Sequence, residues 1–423
     1  MDQAAPRGTR DILPPESGIW QQLEERFDDI CQRYGYGEIR LPSFEHTEVF
    51  ARGVGDSSDI VRKEMYTFDD RAGRSLTLRP EGTAGVARAF VQHGLSSEAY
   101  PVKLYYRMNL FRYEAVQKGR QREFNQFGAE CFGSADPAVD AEVIGLVDRF
   151  LAELGLTAVR LELNSIGCPD CRSNYHETLR DWLRPRIASF CPDCQQRFEM
   201  NPLRILDCKV PEDQARLHDA PLLFDGLDPD CRAHFERVTE LLDAQGIRYQ
   251  INPRIVRGLD YYSRTVFEFI SENVGTQGTI CGGGRYDGLV AALGGGEVPG
   301  CGFAMGVERL LMELEAQSCL PSLPARSRLY LASLDRAAQT AAAGLADRLR
   351  QEGITTCSDL VGRSLRAQMK YAARSGFSHV IVLGSDELAS GSGRLRRLSD
   401  GAEEEVRLDA DAIRSRLDPR TAD

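Results

Sequence analysis

The sequence predicts an α+β protein of two or three domains, since 423 residues exceed one ordinary domain and carry both strand and helix patterns. Apolar and polar residues alternate over 102–107 and 122–132, which is typical of the two arms of an antiparallel hairpin. Apolar residues recur at helical spacing over 140–154. Strands and helices alternate after residue 326, which indicates a separate small α/β domain.

Composition and charge narrow the class of protein. Hydrophobic residues make up 42% of the chain and charged residues 27%, as in ordinary globular proteins. No apolar run approaches the length of a membrane span, and residues 1–10 lack the apolar region of a secretory signal. We therefore expect a cytoplasmic protein with no membrane association. The net charge of −11 argues against a general nucleic-acid-coating protein but leaves room for a local basic face.

The first elements follow from spacing and turn residues. Apolar side chains at helical spacing predict a helix capped by Ser17 and ending near Gly35. A strand over 36–41 is ended by Pro42, which cannot donate to a sheet ladder. Short strands over 66–68 and 76–78 then form a plausible hairpin.

A strand-to-helix corner follows at Arg79-Pro-Glu-Gly-Thr83, before a helix predicted over 84–93. Glu81 and Thr83 stand at this corner. One interpretation is structural, with either side chain capping the free N–H groups of the helix. The other is functional, with a carboxylate and a hydroxyl aimed at a ligand ammonium.

The hairpin over 102–132 places Gln126 and Glu130 on one face of its second arm, about 13 Å apart along the strand. Cationic side chains cluster between Arg107 and Arg122, around the connecting loop. A solvated charged hairpin would explain the cations. It would not require two polar side chains on the opposite face, and the combination suggests a phosphate-bearing ligand.

The second half of the chain resumes the strand pattern after a change in character. Residues 168–245 are rich in Pro, Asp, Arg and Cys, and we interpret them as a mostly helical insertion. A strand over 249–252 leads to Arg257-Gly-Leu-Asp-Tyr-Tyr262, a strand over 265–270 and a predicted glycine turn over 282–288. Arg309 falls in the first turn of a helix, where a cation opposes the helix dipole, so its placement suggests an anionic ligand.

The last segment predicts a mixed sheet with helices. Its predicted strands are 329–332, 355–357, 379–383 and 405–408, and its predicted helices are 337–351, 364–375 and a final one to 417.

Two CxxC motifs predict a structural zinc site. Cys168-Pro-Asp-Cys171 and Cys191-Pro-Asp-Cys194 are separated by 19 residues, a spacing that suits one tetrahedral site of four thiolates. Cys208 is an alternative ligand. A redox role is less favoured, because the strand–CxxC–helix context is missing. The 12 cysteines of a cytoplasmic chain of this size do not form a disulfide framework.

Six motifs together resemble the class II histidyl-tRNA synthetases over essentially the whole chain. Each motif alone is weak, but six in the family's order and spacing leave little room for chance. The motifs are Arg79-Pro-Glu-Gly-Thr83; Phe111-Arg-Tyr-Glu114 with Gln117-Lys-Gly-Arg120; residues 124–130; Arg257-Gly-Leu-Asp-Tyr-Tyr262; Gly283-Gly-Arg-Tyr-Asp287; and Gly302-Phe-Ala-Met-Gly-Val-Glu-Arg309.

The resemblance implies an architecture and a set of partners. The expected catalytic core is an antiparallel sheet flanked by helices over 1–167 and 246–320, interrupted by the insertion over 168–245. A C-terminal anticodon-binding α/β domain is expected over 326–423. Pro42 matches the motif 1 proline of this class, which implies a homodimer. The implied partners are tRNA(His), L-histidine and ATP with Mg²⁺.

The implied reaction is ATP-dependent aminoacylation of tRNA(His) through a histidyl-adenylate, with release of AMP and pyrophosphate. Arg112 and Arg309 match the arginines that grip ATP, and Arg257 matches an arginine that sits against the α-phosphate and the histidine carboxylate. The implied catalytic residues are Arg257, Arg112 and Arg309. The other implied site residues are Glu81, Gly82, Thr83, Gln126, Glu130, Tyr261 and Tyr262 for histidine; Glu114 and Arg120 for ATP; and Gln117 and Lys118 for the tRNA acceptor end.

Some positions depart from the family pattern, and other functions stay open. Asn125 stands where many relatives have His, and Ala115-Val116 replaces a common Arg-Pro in the loop that touches the acceptor end. The family's chemistry needs no zinc, so the zinc site stays open. The alternatives are a regulatory paralogue that binds histidine without charging tRNA, another class II ligase, and an RNA-binding protein. The three arginines and the C-terminal domain argue against the paralogue.

Overall fold

Two units make up the chain, Met1–Ser322 and Leu323–Asp423. The computed structural model describes residues 4–55, 58–206, 208, 210–255, 258–273, 278–322 and 328–417. None of the helices in these ranges combines the length and the apolar character that crossing a bilayer requires.

The first unit is organised around an eight-stranded sheet of order β1-β5-β6-β11-β10-β9-β7-β8, with a separate three-stranded sheet β2-β4-β3. Its pairs are antiparallel except for β1 with β5 and β7 with β8. The strands are β1 Gly37–Glu38, β2 Phe44–His46, β3 Tyr66–Asp69, β4 Ser75–Leu78, β5 Val102–Phe111, β6 Glu123–Phe132, β7 Arg160–Ser165, β8 Gln250–Ile251, β9 Ser263–Ile270, β10 Thr279–Arg285 and β11 Gly300–Gly306. The predicted antiparallel core is confirmed.

Helices cover both faces of this sheet. They are α1 Glu16–Arg33, α2 Thr47–Val54, α3 Thr83–Gln92, α4 Pro137–Glu153, α5 Pro169–Leu183, α6 Pro192–Met200, α7 Pro211–Arg216, α8 Pro229–Ala244, α9 Leu289–Ala292 and α10 Val307–Ala316, with short turns at Ile60–Glu64, Leu95–Ser97, Ile187–Ser189, Pro202–Ile205 and Leu223–Gly226. Side chains alternate along each strand, so one sheet can support two cores. Tyr105 and Phe127 pack with α1, α4 and α8 on one face, while Tyr106 and Leu110 pack with α3 and α5 on the other.

The structure corrects several local predictions. Residues Gly282, Gly283 and Gly284 lie inside β10 and do not form a turn. A Cβ on Gly283 would lie 2.3 Å from the Gly302 carbonyl oxygen, so this strand needs glycine because β11 approaches closely. Ser17 does not cap α1, which already begins at Glu16. The strand predicted over 36–41 is limited to β1.

The second unit contains a five-stranded sheet of order β13-β12-β14-β15-β16. Its first three strands are parallel and its last two pair antiparallel. The elements are β12 Arg328–Ser333, α11 Arg336–Gln351, β13 Thr355–Ser358, α12 Leu365–Arg374, β14 His379–Leu383, α13 Ser385–Ser390, β15 Ser392–Arg397, β16 Glu403–Arg407 and α14 Ala410–Leu417. The predicted mixed sheet is confirmed, although α13 and β15 were not among the predicted elements.

A fully buried ion pair joins the end of β10 to α4. Arg285 Nη2 lies 2.5 Å from Asp140 Oδ2, and its Nε lies 3.1 Å from the same oxygen. His234, on α8, places Nε2 at 3.2 Å from Asp140 Oδ1. Burial alone would raise the pKa of Asp140, but the charge of Arg285 and the hydrogen bond from His234 outweigh it and lower the pKa to about 2. The Asp140 carboxylate therefore links its own helix, α4, to the end of β10 and to α8.

Replacing Arg285 with methionine should lower the free energy of unfolding by about 3–5 kcal/mol, because Asp140 keeps its burial and loses its guanidinium partner. Equilibrium urea unfolding at neutral pH measures the change. The matched control is Arg237→Met on α8, which removes a largely exposed pair with Glu240 and should change stability by less than about 1 kcal/mol. Equal losses in the two variants would contradict a central role for the buried pair.

Candidate active site

Glu130 is the centre of the candidate site, a fully buried carboxyl group on β6. Thr83 Oγ1 donates a hydrogen bond to its Oε1 at 2.7 Å, and the Tyr106 hydroxyl donates to the same oxygen at 3.3 Å. The Tyr286 hydroxyl donates to Oε2. Burial raises the pKa of Glu130 to about 8, against the lowering effect of the Tyr286 and Thr83 hydrogen bonds. The carboxyl is thus poised to gain or lose a proton near neutral pH.

Glycines make the space that this carboxyl group and its donors occupy. Gly302 pairs directly with Glu130 across β11 and β6, and a Cβ there would lie 1.9 Å from Glu130 Oε2. Gly128 lies opposite Tyr106 on β5, and a Cβ there would lie 2.4 Å from the tyrosine hydroxyl oxygen. Any side chain at either position would displace the hydrogen-bonded cluster.

Glu81 lies at the corner that the sequence singles out, and it plays the structural role considered there. Its carboxylate accepts hydrogen bonds from the backbone N–H groups of Thr83 and Ala84, each at 2.8 Å, at the start of α3. Burial raises its pKa, against the lowering effect of those N–H groups. The Thr83 hydroxyl turns instead toward Glu130. At this corner the Glu81 carboxylate therefore binds the start of α3, and the Thr83 hydroxyl binds Glu130.

Three tyrosine rings pack on one side of Glu130. The ring centroid of Tyr261 lies 4.7 Å from that of Tyr262 and 5.7 Å from that of Tyr286. Burial raises the pKa of the Tyr261 hydroxyl well above its usual value, and the nearby Tyr262, Glu81 and Glu130 raise it further. Burial likewise raises the pKa of Tyr286, so the hydroxyls of Tyr261 and Tyr286 stay protonated near neutral pH and can act as hydrogen-bond donors.

The remaining predicted pocket residues lie around this cluster. Gly82 directly precedes α3, and Gln126 is half-buried on β6. Within the described residues, Gln126 Oε1 is a buried acceptor without a hydrogen-bond partner. An unsatisfied acceptor of this kind suits a ligand that brings an N–H donor.

A group of arginines lies beside the corner. Arg112 Nε donates to the Pro80 carbonyl oxygen at 2.8 Å, and its guanidinium stacks over Phe124 at 5.3 Å. Arg309, in the first turn of α10, donates to the carbonyl oxygens of Thr279 at 2.6 Å and Gly119 at 3.3 Å.

The arginines share one electrostatic environment. Arg120 forms a 3.2 Å ion pair with Glu114. Burial lowers the pKa of Arg309, and the positive charges of Arg120 and Arg112 lower it further. Guanidinium groups that repel one another in this way form a ready site for a polyanion.

Other predicted residues are placed differently. Arg257 lies outside the described residues, and its role stays a prediction. Lys118 and Gln117 are exposed in the loop between β5 and β6, away from the buried cluster. Tyr106 and Tyr286 touch Glu130 but were not predicted as site residues. Strand alternation and hairpin register could have placed Tyr106 on the same sheet face as Glu130. No local sequence pattern indicates that Tyr286 reaches Glu130.

The structure does not bring together the four cysteines of the two CxxC motifs, which the predicted single zinc site requires. Within the described residues, Cys168 and Cys171 gather with Asp228 and Cys231, whereas Cys191 and Cys194 gather with Cys208 and Asp213. Each motif begins a different helix, α5 or α6, so each meets different neighbours. The alternative ligand Cys208 belongs to the second group.

Comparisons with family models, curated relatives and solved structures all find similarity to the same family. The family model "Histidyl-tRNA synthetase" matches residues 8–170 and 207–310, and the "Anticodon binding domain" model matches 328–414. The chain is 53% identical to the histidine–tRNA ligase of Moorella thermoacetica over 410 residues, 97% of either chain. It is 50% identical to that of Acetivibrio thermocellus over 405 residues, 96% of this chain and 97% of the relative. The apo crystal structure of S. aureus histidyl-tRNA synthetase matches with a TM-score of 0.82 and 38% identity, covering 98% and 99% of the two chains.

The raised pKa of Glu130 predicts a pH-dependent stability. The folded pKa of about 8 exceeds the unfolded value of about 4.3, so between these values only the folded state keeps the proton. The stabilisation is complete below the unfolded pKa and is lost as the pH rises toward the folded pKa, by about 1.4 kcal/mol per pH unit. Glu130→Gln removes this titration.

Urea unfolding of both proteins between about pH 5 and about pH 8 measures the effect. The unfolding free energy of the wild type minus that of Glu130→Gln should fall steeply across this window, because every other titration cancels in the difference. A flat difference would contradict the raised pKa.

Proposed function

The chain belongs to the histidyl-tRNA synthetase family and catalyses ATP-dependent charging of tRNA(His) with histidine, and from this premise we propose which residues perform each step. The observation that carries the proposal is the buried Glu130, surrounded by hydroxyl donors, with the unsatisfied acceptor of Gln126 on the same strand. The regulatory paralogue is not favoured, given about 50% identity to histidine–tRNA ligases over nearly the whole chain.

The proposed histidine pocket uses hydrogen bonds to select its ligand. Glu130 and Tyr261 bracket the imidazole, which presents one donor and one acceptor, and Tyr262 lines the pocket. Thr83, Gln126 and Glu81 form the ammonium end. Gly82 has no side chain and would let the ligand approach the corner closely. A side chain without ring nitrogens would leave buried polar groups unpaired, at about 1–3 kcal/mol each. This supports discrimination against apolar amino acids without an editing site.

The proposed ATP site is the group of arginines beside the corner. Arg112 and Arg309 would hold the phosphates by bidentate hydrogen bonds, assisted by Arg120 with its partner Glu114. Burial, and beyond it repulsion from Arg120 and Arg112, lowers the pKa of Arg309, which supports an anionic ligand there. Mg²⁺ would arrive with ATP. Phosphoryl chemistry of this kind is accelerated mainly by positioning and by positive charge where negative charge develops.

Arg257 is included in the proposed catalytic set on the basis of its position in the sequence alone. In the first step the histidine carboxylate attacks the α-phosphate of ATP, forming histidyl-adenylate and releasing pyrophosphate. Arg257 would neutralise the charge that develops between these two groups. In the second step the terminal ribose hydroxyl of the tRNA attacks the adenylate and releases AMP.

The tRNA contacts and assembly are further parts of the proposal. We assign 1–167 and 246–320 to the catalytic core, 168–245 to the insertion and 326–423 to the anticodon-binding domain. Gln117 and Lys118 would touch the acceptor end, and their exposure in a loop supports this. A homodimer through the segment around Pro42 and a cytoplasmic location stay predictions. The predicted structural zinc would take no part in this chemistry.

Exchange of labelled pyrophosphate into ATP, measured with each of the twenty amino acids, tests the proposed pocket. We expect exchange with histidine alone, because only its ring satisfies both Glu130 and Tyr261. The matched variant Glu130→Gln keeps the size of the side chain and removes its ionisable group, and it should raise the histidine KM more than the ATP KM. Unchanged KM for histidine in this variant would count against the assignment of Glu130.

Arg257→Ala should reduce histidine-dependent exchange by roughly 100-fold or more, because an electrostatic contact made in the transition state is lost. Histidine binding measured by calorimetry should persist. The control Arg254→Ala removes a nearby exposed arginine that donates to the His218 carbonyl oxygen, and its exchange rate should stay close to that of the wild type. Exchange by Arg257→Ala within a few-fold of the control would show that the assignment is wrong.

A further inference from the structure

Two clusters of cysteine and aspartate lie outside the proposed active site. The first cluster consists of Cys168, Cys171, Asp228 and Cys231, and the second of Cys191, Cys194, Cys208 and Asp213. In each cluster one ligand atom from every residue lies within 4.8 Å of the others. Six of the chain's 12 cysteines are therefore gathered in threes, each group with one carboxylate.

The local sequence explains how the first cluster assembles. Cys168-Pro-Asp-Cys171 begins α5, and the related Asp228-Pro-Asp-Cys231 begins α8. In both, the first residue is the N-cap, proline occupies the first turn, and the last cysteine follows within that turn. The two side chains of each motif thus project from the same helix start. Two helix N-termini, which favour negative charge, face each other across the four ligand atoms.

The contacts of the first cluster centre on Asp228. Its Oδ2 lies 3.1 Å from Cys168 Sγ and 3.0 Å from Cys171 Sγ, and its Oδ1 accepts from the Cys231 N–H at 2.7 Å. The Asp228 N–H donates to Cys171 Sγ at 3.2 Å, the type of backbone contact that supports a metal-bound thiolate. Cys171 and Cys231 are buried.

The second cluster repeats this donor set with a different framework. Cys191-Pro-Asp-Cys194 begins α6, and Cys208 and Asp213 come from the segment that folds back on it. Cys191 Sγ lies 3.9 Å from Cys208 Sγ, and Asp213 Oδ2 lies 3.4 Å from Cys208 Sγ. The same carboxylate oxygen accepts from the Cys191 N–H at 3.0 Å, and Val210 N–H donates to Cys208 Sγ at 3.5 Å.

These distances suit a tetrahedral metal. A Zn–S bond of about 2.3 Å places two thiolates about 3.8 Å apart, close to the separation of Cys191 and Cys208. A disulfide would join two of the three sulfurs and leave the third beside a carboxylate. The buried Asp213 pairs with Arg216 through Oδ1 at 2.8 Å, which leaves its Oδ2 facing the thiols. Thiolate donors exclude Mg²⁺ and Ca²⁺ and favour zinc.

We propose that each cluster binds one zinc ion through three thiolates and one carboxylate, giving two structural zinc sites in place of one four-thiolate site. The first ion fastens the start of α5 to the start of α8, a helix that packs on α4. Next to Cys171, Arg172 donates to the backbone carbonyl oxygens of Tyr262 at 2.8 Å and Asp260 at 3.4 Å. The first ion thereby also supports the segment that carries Tyr261. The second ion closes the segment between α6 and α7.

Metal analysis of the full chain, purified without chelator from zinc-supplemented cells, tests the proposal. We expect two zinc ions per chain, one for each cluster. Asp228→Asn should lose one of them, because the amide still caps α8 but is a poor metal ligand. Its control is Asp230→Asn, an exposed acid in the same helix turn, which should keep both ions. Cys208→Ser should lose the other ion, and Cys357→Ser in the second unit should keep both.

Two further measurements keep the outcome clear if a variant fails to fold. Cobalt added to the metal-free wild type should produce thiolate-to-metal charge-transfer bands and tetrahedral cobalt absorption for two equivalents of metal. Thiol titration of the denatured, unreduced protein should find all 12 thiols free. Less than a tenth of an equivalent of zinc, or disulfides among the six clustered cysteines, would overturn the proposal. Zinc retained in full by Asp228→Asn or Cys208→Ser would overturn it for that cluster.

Discussion

The buried ion pair of Arg285 with Asp140 is the constraint on which the candidate site depends. Arg285 and Tyr286 are consecutive, so their side chains leave opposite faces of the chain at the end of β10. Arg285 is held by α4, and Tyr286 reaches the carboxyl group of Glu130 on the other face. A displacement of the guanidinium would move the tyrosine hydroxyl with it. The pair therefore fixes the position of a hydrogen-bond donor that it does not itself touch.

Glu130 gathers elements that are distant in the sequence into one buried cluster of hydrogen bonds. Its three hydroxyl donors come from α3, from β5 and from the residue after β10. A buried carboxyl group is unfavourable unless such donors satisfy it, and each donor is held by its own packing. The glycine at position 302 completes the arrangement by leaving space on the neighbouring strand. The group proposed to select histidine is thus also a group whose burial is costly for stability.

Sequence patterns predicted the parts of this fold that depend on local periodicity. The hairpin of β5 and β6, the corner at Glu81 and the helix start at Arg309 follow from alternation, turn residues and helical spacing. The strand character of the glycines in β10 was missed, because it depends on the approach of β11 from elsewhere in the chain. The partner of Cys171 was missed for the same reason, since Asp228 is 57 residues away. Contacts of this kind have no local signal.

The short corner between β4 and α3 unites the two halves of the proposed site. Buried Arg79 anchors it by donating to the Asn109 and Leu41 carbonyl oxygens, each at 2.8 Å. The adjacent Pro80 accepts from Arg112, and Thr83 reaches Glu130. In the proposed site this corner would orient a ligand with a cationic and an anionic end, with its ammonium toward Glu81 and its phosphates toward the guanidiniums. Because one rigid segment contacts both halves, the spacing between the two subsites is set locally, and a shift of the corner would move both together.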